Sequence, residues 1–259
     1  MRAEAVHADV VVVTSRIWRT TCTLVRSGSE AFAIDSPVLP DELELLPAIS
    51  AQAGFEVVGL LATHADWDHL LGPLAFPEAP LGCAETSAAR LSAEPGAAQR
   101  ELRSFDDELY VQRPRPLGLG AVQALPVPGH CGVGELELEL HPADGHTADG
   151  MAIWVPWAAV LVCGDYLSPV ELPMLSPGGS AAAYEATLAR LEPLVEQADV
   201  VVPGHGEPLD PQRALAILRE DRAYLDALRA RGAQASLPPA RRTGEQRRIH
   251  AENVQRLGL

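Results

Sequence analysis

The chain has no lysine: all 20 of its basic residues are arginine. No single site would account for that, and it reads as a bias of the source genome. Basic charge is scarce as well. Against 35 acidic residues the arginines leave a formal net charge of −15, which argues against a nucleic-acid partner, because phosphate contacts need clustered cations. The four cysteines, Cys22, Cys83, Cys131 and Cys163, lie far apart with no C-x-x-C pair. Neither a disulfide framework nor a cysteine zinc finger is therefore expected. Long apolar runs are missing too. Stretches such as Val10–Val13 and Ala158–Cys163 fall far short of the roughly 20 residues a membrane helix needs. The opening MRAEAVHADVVVV places His7 and Asp9 where a signal peptide needs its apolar segment, so the expected location is cytoplasmic, with no membrane partner. What the chain does have is 259 residues, 47% of them hydrophobic. That suffices for a substantial core, in one large α/β domain or two small ones.

The densest stretch is VVGLLATHADWDHLLG, residues 57–72. Val57–Leu61 has the length and β-branching of a buried strand, and Leu70-Leu71-Gly72 reads as the start of a short helix. Between them stand His64, Asp66, Asp68 and His69, with Trp67 among them. A chain leaving a buried strand aims consecutive side chains at a common point, and imidazole and carboxylate suit a borderline divalent cation. A polar loop whose aspartates cap the next helix would need one carboxylate and would explain neither histidine. THADWDH at 63–69 resembles the His-x-His-x-Asp-His signature of the metallo-β-lactamase superfamily, with Asp66 standing where a second histidine is usual.

Strands are expected at VVVVT, TCTLVR and AFAID within residues 10–35, with a hairpin turn at Ser27-Gly28-Ser29-Glu30. AFAIDSPVLPDEL resembles the superfamily's second signature and would bring Asp35 near the site without touching metal; capping a helix or turn is its other role. Helices are expected over 39–53, from near Glu85, over 180–197, over 211–230 behind an Asp210 N-cap, and over 241–258. Residues 97–110 read as an exposed helix forming a flap over or beside the site. GELELEL at 134–140 alternates as a half-buried strand does, with Leu136, Leu138 and Leu140 on one face. His146 follows it within GHT, Asp165 follows AAVLVCG, and His205 sits between two glycines after ADVVVP. An apolar strand followed by a ligand-type residue thus recurs four times, and glycine beside the residue permits the tight turn that aims it inward.

The resemblance implies an α/β (α+β) fold, the four-layer αβ/βα sandwich, in a single domain over 1–259 with helices of 208–259 packed on it. It also implies a ligand set: His64, Asp66 and His146 for one divalent cation, Asp68, His69 and His205 for a second, and Asp165 bridging. Zinc is the expected metal, with iron or manganese admitted by Asp66, since an added anion lowers Lewis acidity and favours harder ions. Asp66 is expected to ligate; the competing case is a weak first site and one functional metal. A hydroxide bridging the cations would attack the substrate without a separate base, with Asp68 as the catalytic residue that orients it by accepting its hydrogen bond.

A metal-dependent hydrolase of a small ester, thioester, lactone or phosphoester is the leading expectation, with thioester hydrolases of the glyoxalase II type nearest in layout. The alternative is an iron-dependent redox member, a persulfide dioxygenase or diiron type, and a third class is a metal-binding protein without catalysis. Arg241, Arg242, Arg247 and Arg248 read as a solvated face, or as contacts to an anionic substrate. Tyr166, Glu171 and Met174 are candidates to border substrate. Trp67 is assigned to core packing, His130 and Cys131 to a turn, and His7, His141 and His250 to structural or exposed positions.

Overall fold

The Val10–Val13 run shows why the molecule is layered. Strand alternation sends Val10 and Val12 to one face and Val11 and Val13 to the other, and all four are buried. A strand buried on both faces requires a layer on each side. The computed structural model, which describes residues 1–259, supplies them. The first half runs β1 (Arg2–His7), β2 (Val10–Thr14), β3 (Thr21–Ser27), β4 (Glu30–Asp35), α1 (Pro40–Gln52), β5 (Glu56–Ala62), α2 (Gly72–Ala75), β6 (Leu81–Ala84), α3 (Glu85–Ala93), α4 (Ala97–Leu109) and β7 (Gln123–Leu125). The second half runs β8 (Gly129–Val133), β9 (Leu136–Pro142), β10 (Met151–Val155), β11 (Val160–Val162), α5 (Ala181–Val195), β12 (Val200–Val202), α6 (Pro211–Arg231) and α7 (Gly244–Leu257).

β1 to β7 form one sheet in sequence order, antiparallel through β4 and parallel from β4 to β7. The second sheet has the order β12-β11-β10-β9-β8, with only β11 and β12 parallel. Val10, Val12, Ile34 and Leu61 of the first sheet meet Leu138, Leu140, Ile153 and Val162 of the second in an inner core. The outer faces are covered by helices: Leu43, Leu46, Leu102 and Phe105 over the first sheet, and Leu188, Leu191, Leu218 and Leu225 over the second. This is the α/β four-layer sandwich. No helix is long and apolar enough to cross a membrane.

Several local expectations need correction. β1 and β7 lie at the edges of the first sheet and were not legible, because none of their side chains is buried and neither carries an apolar run. His130 and Cys131 belong to strand β8 rather than a turn, since pairing with β9 supplies what their glycine-rich context withholds. α4 is amphipathic rather than exposed, with Ala98, Leu102 and Phe105 buried. Of the leucines in β9, Leu136 at the strand's start remains exposed while Leu138 and Leu140 are buried. Arg241 is not on a solvated face: it is 1% exposed, and its Nη1 lies 2.6 Å from Asp221 Oδ1. The Asp210 cap is in place, its side chain accepting from Arg213 N–H at 2.9 Å.

Candidate metal centre

Four loops leave the C-terminal ends of β5, β9, β11 and β12 at one rim of the two sheets, and they carry the seven residues singled out above. After β5 the chain turns through Thr63–Asp66 into a single 3₁₀ turn, Trp67–His69. His146 lies between β9 and β10, Asp165 three residues beyond β11, and His205 three beyond β12. Two glycines make the convergence possible. A Cβ on Gly204 would collide with Asp165 Oδ1, and one on Gly145 (φ +125°) would collide with the backbone of Tyr184 at the start of α5.

All seven side chains come together, in two groups joined by Asp165. Asp165 Oδ2 lies 3.7 Å from His64 Nε2 and 3.3 Å from His146 Nε2. Its Oδ1 lies 3.1 Å from His69 Nε2 and 3.4 Å from His205 Nε2. Asp66 Oδ2 completes the first group, 3.3 Å from His146 Nε2 and 3.7 Å from His64 Nε2. Asp68 Oδ2 completes the second, 3.5 Å from His205 Nε2 and 3.7 Å from His69 Nε2.

Each imidazole is held from behind. The Nδ1 atoms of His146 and His205 lie 2.9 and 3.0 Å from the Met174 and Trp18 carbonyls. His69 Nδ1 lies 3.0 Å from Asp35 Oδ2, and His64 Nδ1 3.1 Å from Thr63 Oγ1. Thr63 in turn donates its hydroxyl to Asp35 Oδ2 at 2.9 Å and its N–H to Oδ1 at 2.8 Å. The carbonyls behind His146 and His205 place a proton on each Nδ1, an assignment made from the network, Asp35 lies against His69 Nδ1 at ion-pair distance, and all four rings turn their Nε2 atoms to the centre. Asp35 therefore orients rather than caps. It does so from a left-handed backbone (φ +57°), which costs on the order of 1 kcal/mol in a non-glycine residue.

The centre fits divalent cations. His64 Nε2, His69 Nε2 and Asp165 Oδ1 are buried and make no hydrogen bond, a costly state unless another partner fills it. The donor atoms of His64, Asp66 and His146 lie within 4.8 Å of one another, as do those of Asp68, His69 and His205. Nitrogen and carboxylate oxygen are zinc, iron and manganese donors alike.

Electrostatics agree. Burial opposes charge on Asp165, but His205, His69 and His64 outweigh it and hold the carboxyl well below its ordinary range. Asp66 is likewise held low: burial is overcome by the His146 hydrogen bond, by His64 and by Arg90. Burial would lower His146 and His205, yet Asp66 and Asp165 raise the first to about 9, and Glu171 and Asp165 raise the second to about 10. Asp165, Asp68 and Asp35 raise His69 against burial, whereas burial and the neighbouring His69 lower His64.

Sequence reasoning missed Arg90 and Asp149. Arg90 Nη2 lies 2.8 Å from Asp66 Oδ1, and its Nη1 lies 3.0 Å from Asp149 Oδ1. Asp149 Oδ2 also accepts from Ala65 N–H at 2.9 Å and from the Ser87 hydroxyl at 2.7 Å. The guanidinium thus takes up the charge that Asp66 adds in place of an imidazole, and leaves Oδ2 free to face the centre. Asp149 follows His146 by three residues, a proximity that offered a signal; Arg90 sits in an ordinary helical pattern and offered none.

Of the other candidates, Glu171 and Met174 line a cavity of about 330 Å³ above the centre, together with Trp18, Trp67 and Arg248. Trp67 both packs against Trp18 and Phe105 and faces that cavity. Tyr166 is buried: His146 N–H donates to its oxygen at 3.0 Å, and its hydroxyl donates to the Asp144 carbonyl at 2.7 Å. His250 pairs with Tyr224 Oη at 3.1 Å, and His7 and His141 lie by Asp9 and Glu139, apart from the centre.

A family model described as the metallo-beta-lactamase superfamily matches residues 16–205. A metallo-beta-lactamase from Pontibacter korlensis superposes with a TM-score of 0.61 at 20% identity, covering 84% of this chain and 98% of that one. The DIM-1 metallo-beta-lactamase, in a crystal exposed to ceftazidime, superposes with a TM-score of 0.59 at 19% identity, covering 84% and 96%. At such identities the likeness is one of fold. No curated protein matches the chain by sequence.

Proposed function

Since the chain belongs to the metallo-beta-lactamase superfamily, we propose that it is a hydrolase working with two divalent cations, one held by His64, Asp66 and His146, the other by Asp68, His69 and His205, with Asp165 shared. The observation that carries this reading is the division of Asp165, whose two oxygens each face a different pair of imidazole Nε2 atoms at 3.1–3.7 Å. A carboxylate balancing one protonated histidine would not be split in this way. When bound, the cations acidify water and polarise the carbonyl or phosphoryl oxygen of an ester, thioester, lactone or phosphoester.

The chain's own residues do the rest. Asp68 lies at the cavity floor with a side chain 12% exposed, where it accepts a hydrogen bond from the attacking water and orients it. The Trp18 and Met174 carbonyls and Asp35 fix the imidazoles, so the donor set needs little rearrangement. Trp18, Trp67 and α4 wall one side of the cavity.

A second reading, an iron-dependent redox enzyme, is favoured by the oxygen donor of Asp66, which suits iron or manganese better than a third imidazole would. Metal analysis of protein purified without added metal, paired with a panel of ester, thioester, lactone, β-lactam and phosphodiester substrates, separates the two. The β-lactam is included because both similar structures are named metallo-beta-lactamases. Hydrolysis of one bond class with both sites filled supports the hydrolase. Bound iron with oxygen uptake on glutathione persulfide, and no hydrolysis, replaces it with the redox enzyme.

A further inference from the structure

The cavity above the centre has two unlike walls, and above its floor no guanidinium stands without a carboxylate partner. On one side Trp18, Trp67 and Phe105 form a ring cluster, with centroids 5.6, 5.0 and 4.9 Å apart pairwise. Trp18 and Trp67 are only half-buried and line both this cavity and a second one of about 600 Å³ along α4. Around the same space stand the exposed carboxylates Glu101, Glu108 and Glu245, with Glu171 deeper in.

Only two guanidinium groups reach this space, and both are already engaged. Arg90 is bound by Asp66 and Asp149 at 2.8 and 3.0 Å. Arg248, on the exposed rim, pairs with Glu252 at 2.9 Å and lies 3.9 Å from Glu245, at the limit of an ion pair. A thiol conjugate bearing several carboxylates or phosphates would find no unpaired cation on the walls and three carboxylates at the rim. Carboxylates beside exposed indole faces suit the opposite charge, because an ammonium group is drawn both to the ring face and to the acid.

We propose that this cleft selects a cationic substrate: an ester or lactone whose apolar body lies on Trp18 and Trp67 and whose ammonium group faces Glu101 and Glu245. The inference rests on the hydrolase reading for the reaction but not for the binding. With cations at the floor the cleft carries opposite signs at its two ends: the acyl oxygen points inward and the ammonium outward. Of the C-terminal arginines read as a solvated face or as contacts to an anionic substrate, Arg241 is buried against Asp221, while Arg242, Arg247 and Arg248 are exposed.

The test uses two measurements on the metal-loaded protein. Calorimetry compares benzyltrimethylammonium, its uncharged tert-butyl isostere and benzenesulfonate, none of which can be hydrolysed. Hydrolysis is then followed on three aryl esters differing only in those same end groups. The cation is expected to bind about tenfold tighter than the isostere, as an ammonium on exposed aromatic and acidic groups does, and the esters are expected to follow the same order in kcat/KM. The double substitution Glu101→Gln, Glu245→Gln, at surface positions, is expected to collapse the ratio between cationic and neutral ligands. Equal binding of cation and isostere, or tighter binding of the sulfonate, overturns the proposal. Selective binding of the cation with no ester cleaved leaves the cleft assignment standing and overturns ester hydrolysis as its reaction.

Discussion

Arg90 is the residue whose loss tests the centre most directly. It bridges Asp66 and Asp149, and Asp149 is 2% exposed while Arg90 and Asp66 are 25% and 21% exposed. Breaking a fully buried ion pair by removing one partner costs about 3–5 kcal/mol. Solvent at Arg90 reduces this, so Arg90→Met is expected to lower the stability of the metal-free protein by roughly 1–3 kcal/mol. It also frees Asp66 to rotate and leaves its charge unbalanced. Loss of such an orienting partner weakens metal binding by about 10–100-fold, here at the site built from His64, Asp66 and His146. Arg90→Lys is expected to fall between, because an ammonium cannot bridge two carboxylates as the planar fork does. The assay is metal competition against a chromophoric chelator, with urea unfolding of the stripped protein as the companion measurement. Adding Asp66→His to Arg90→Met should restore part of the affinity, since the neutral ligand no longer needs the guanidinium. Wild-type affinity at both sites in Arg90→Met would refute the idea that Arg90 balances Asp66.

Three further outcomes follow from the same geometry. Asp35→Asn is expected to weaken the site containing His69 by about 10–100-fold, because an amide is a poorer partner for Nδ1–H; calorimetric titration of metal reads this, and unchanged affinity would leave Asp35 with a folding role only. His146 and His205 are raised in the metal-free protein, to about 9 and about 10. Their contribution to stability is therefore fully present below about 6.5 and lost as pH rises through the folded values. Metal must displace those protons, so affinity should rise with pH across that window with proton release, measured as buffer-dependent binding heat; pH-independent affinity would contradict it. Arg241→Met strands buried Asp221 and should cost about 3–5 kcal/mol, a fall in Tm of roughly 10 °C, whereas Arg241→Met with Asp221→Leu should recover most of it. Equal losses in the two proteins would show that the pair itself is not what Arg241 contributes.

The sequence by itself singled out the His and Asp residues that meet at the rim, because their placement rests on local rules, while the layered scaffold was implied by the family resemblance. A strand buried on two faces is written as an unbroken apolar run, as in Val10–Val13, and a residue aimed from a strand's end is written as His or Asp beside glycine, as in GHT and GHG. Elements without an internal pattern stayed hidden: β1, β7 and β8 are strands because a neighbour offers hydrogen-bond partners, not because their residues alternate. Tertiary structure alone decided which charges meet. Arg90 lies 24 residues from Asp66 and 59 from Asp149, and only the packing of α3 against the rim places one guanidinium between them. The same holds for Arg241, whose burial against Asp221 is fixed by how α6 and the segment before α7 cross. Charge acts through space over a few ångströms while sequence orders residues along a chain. The chain therefore announces its metal-ligand types, and only the fold determines how they are balanced and what the cleft above them will accept.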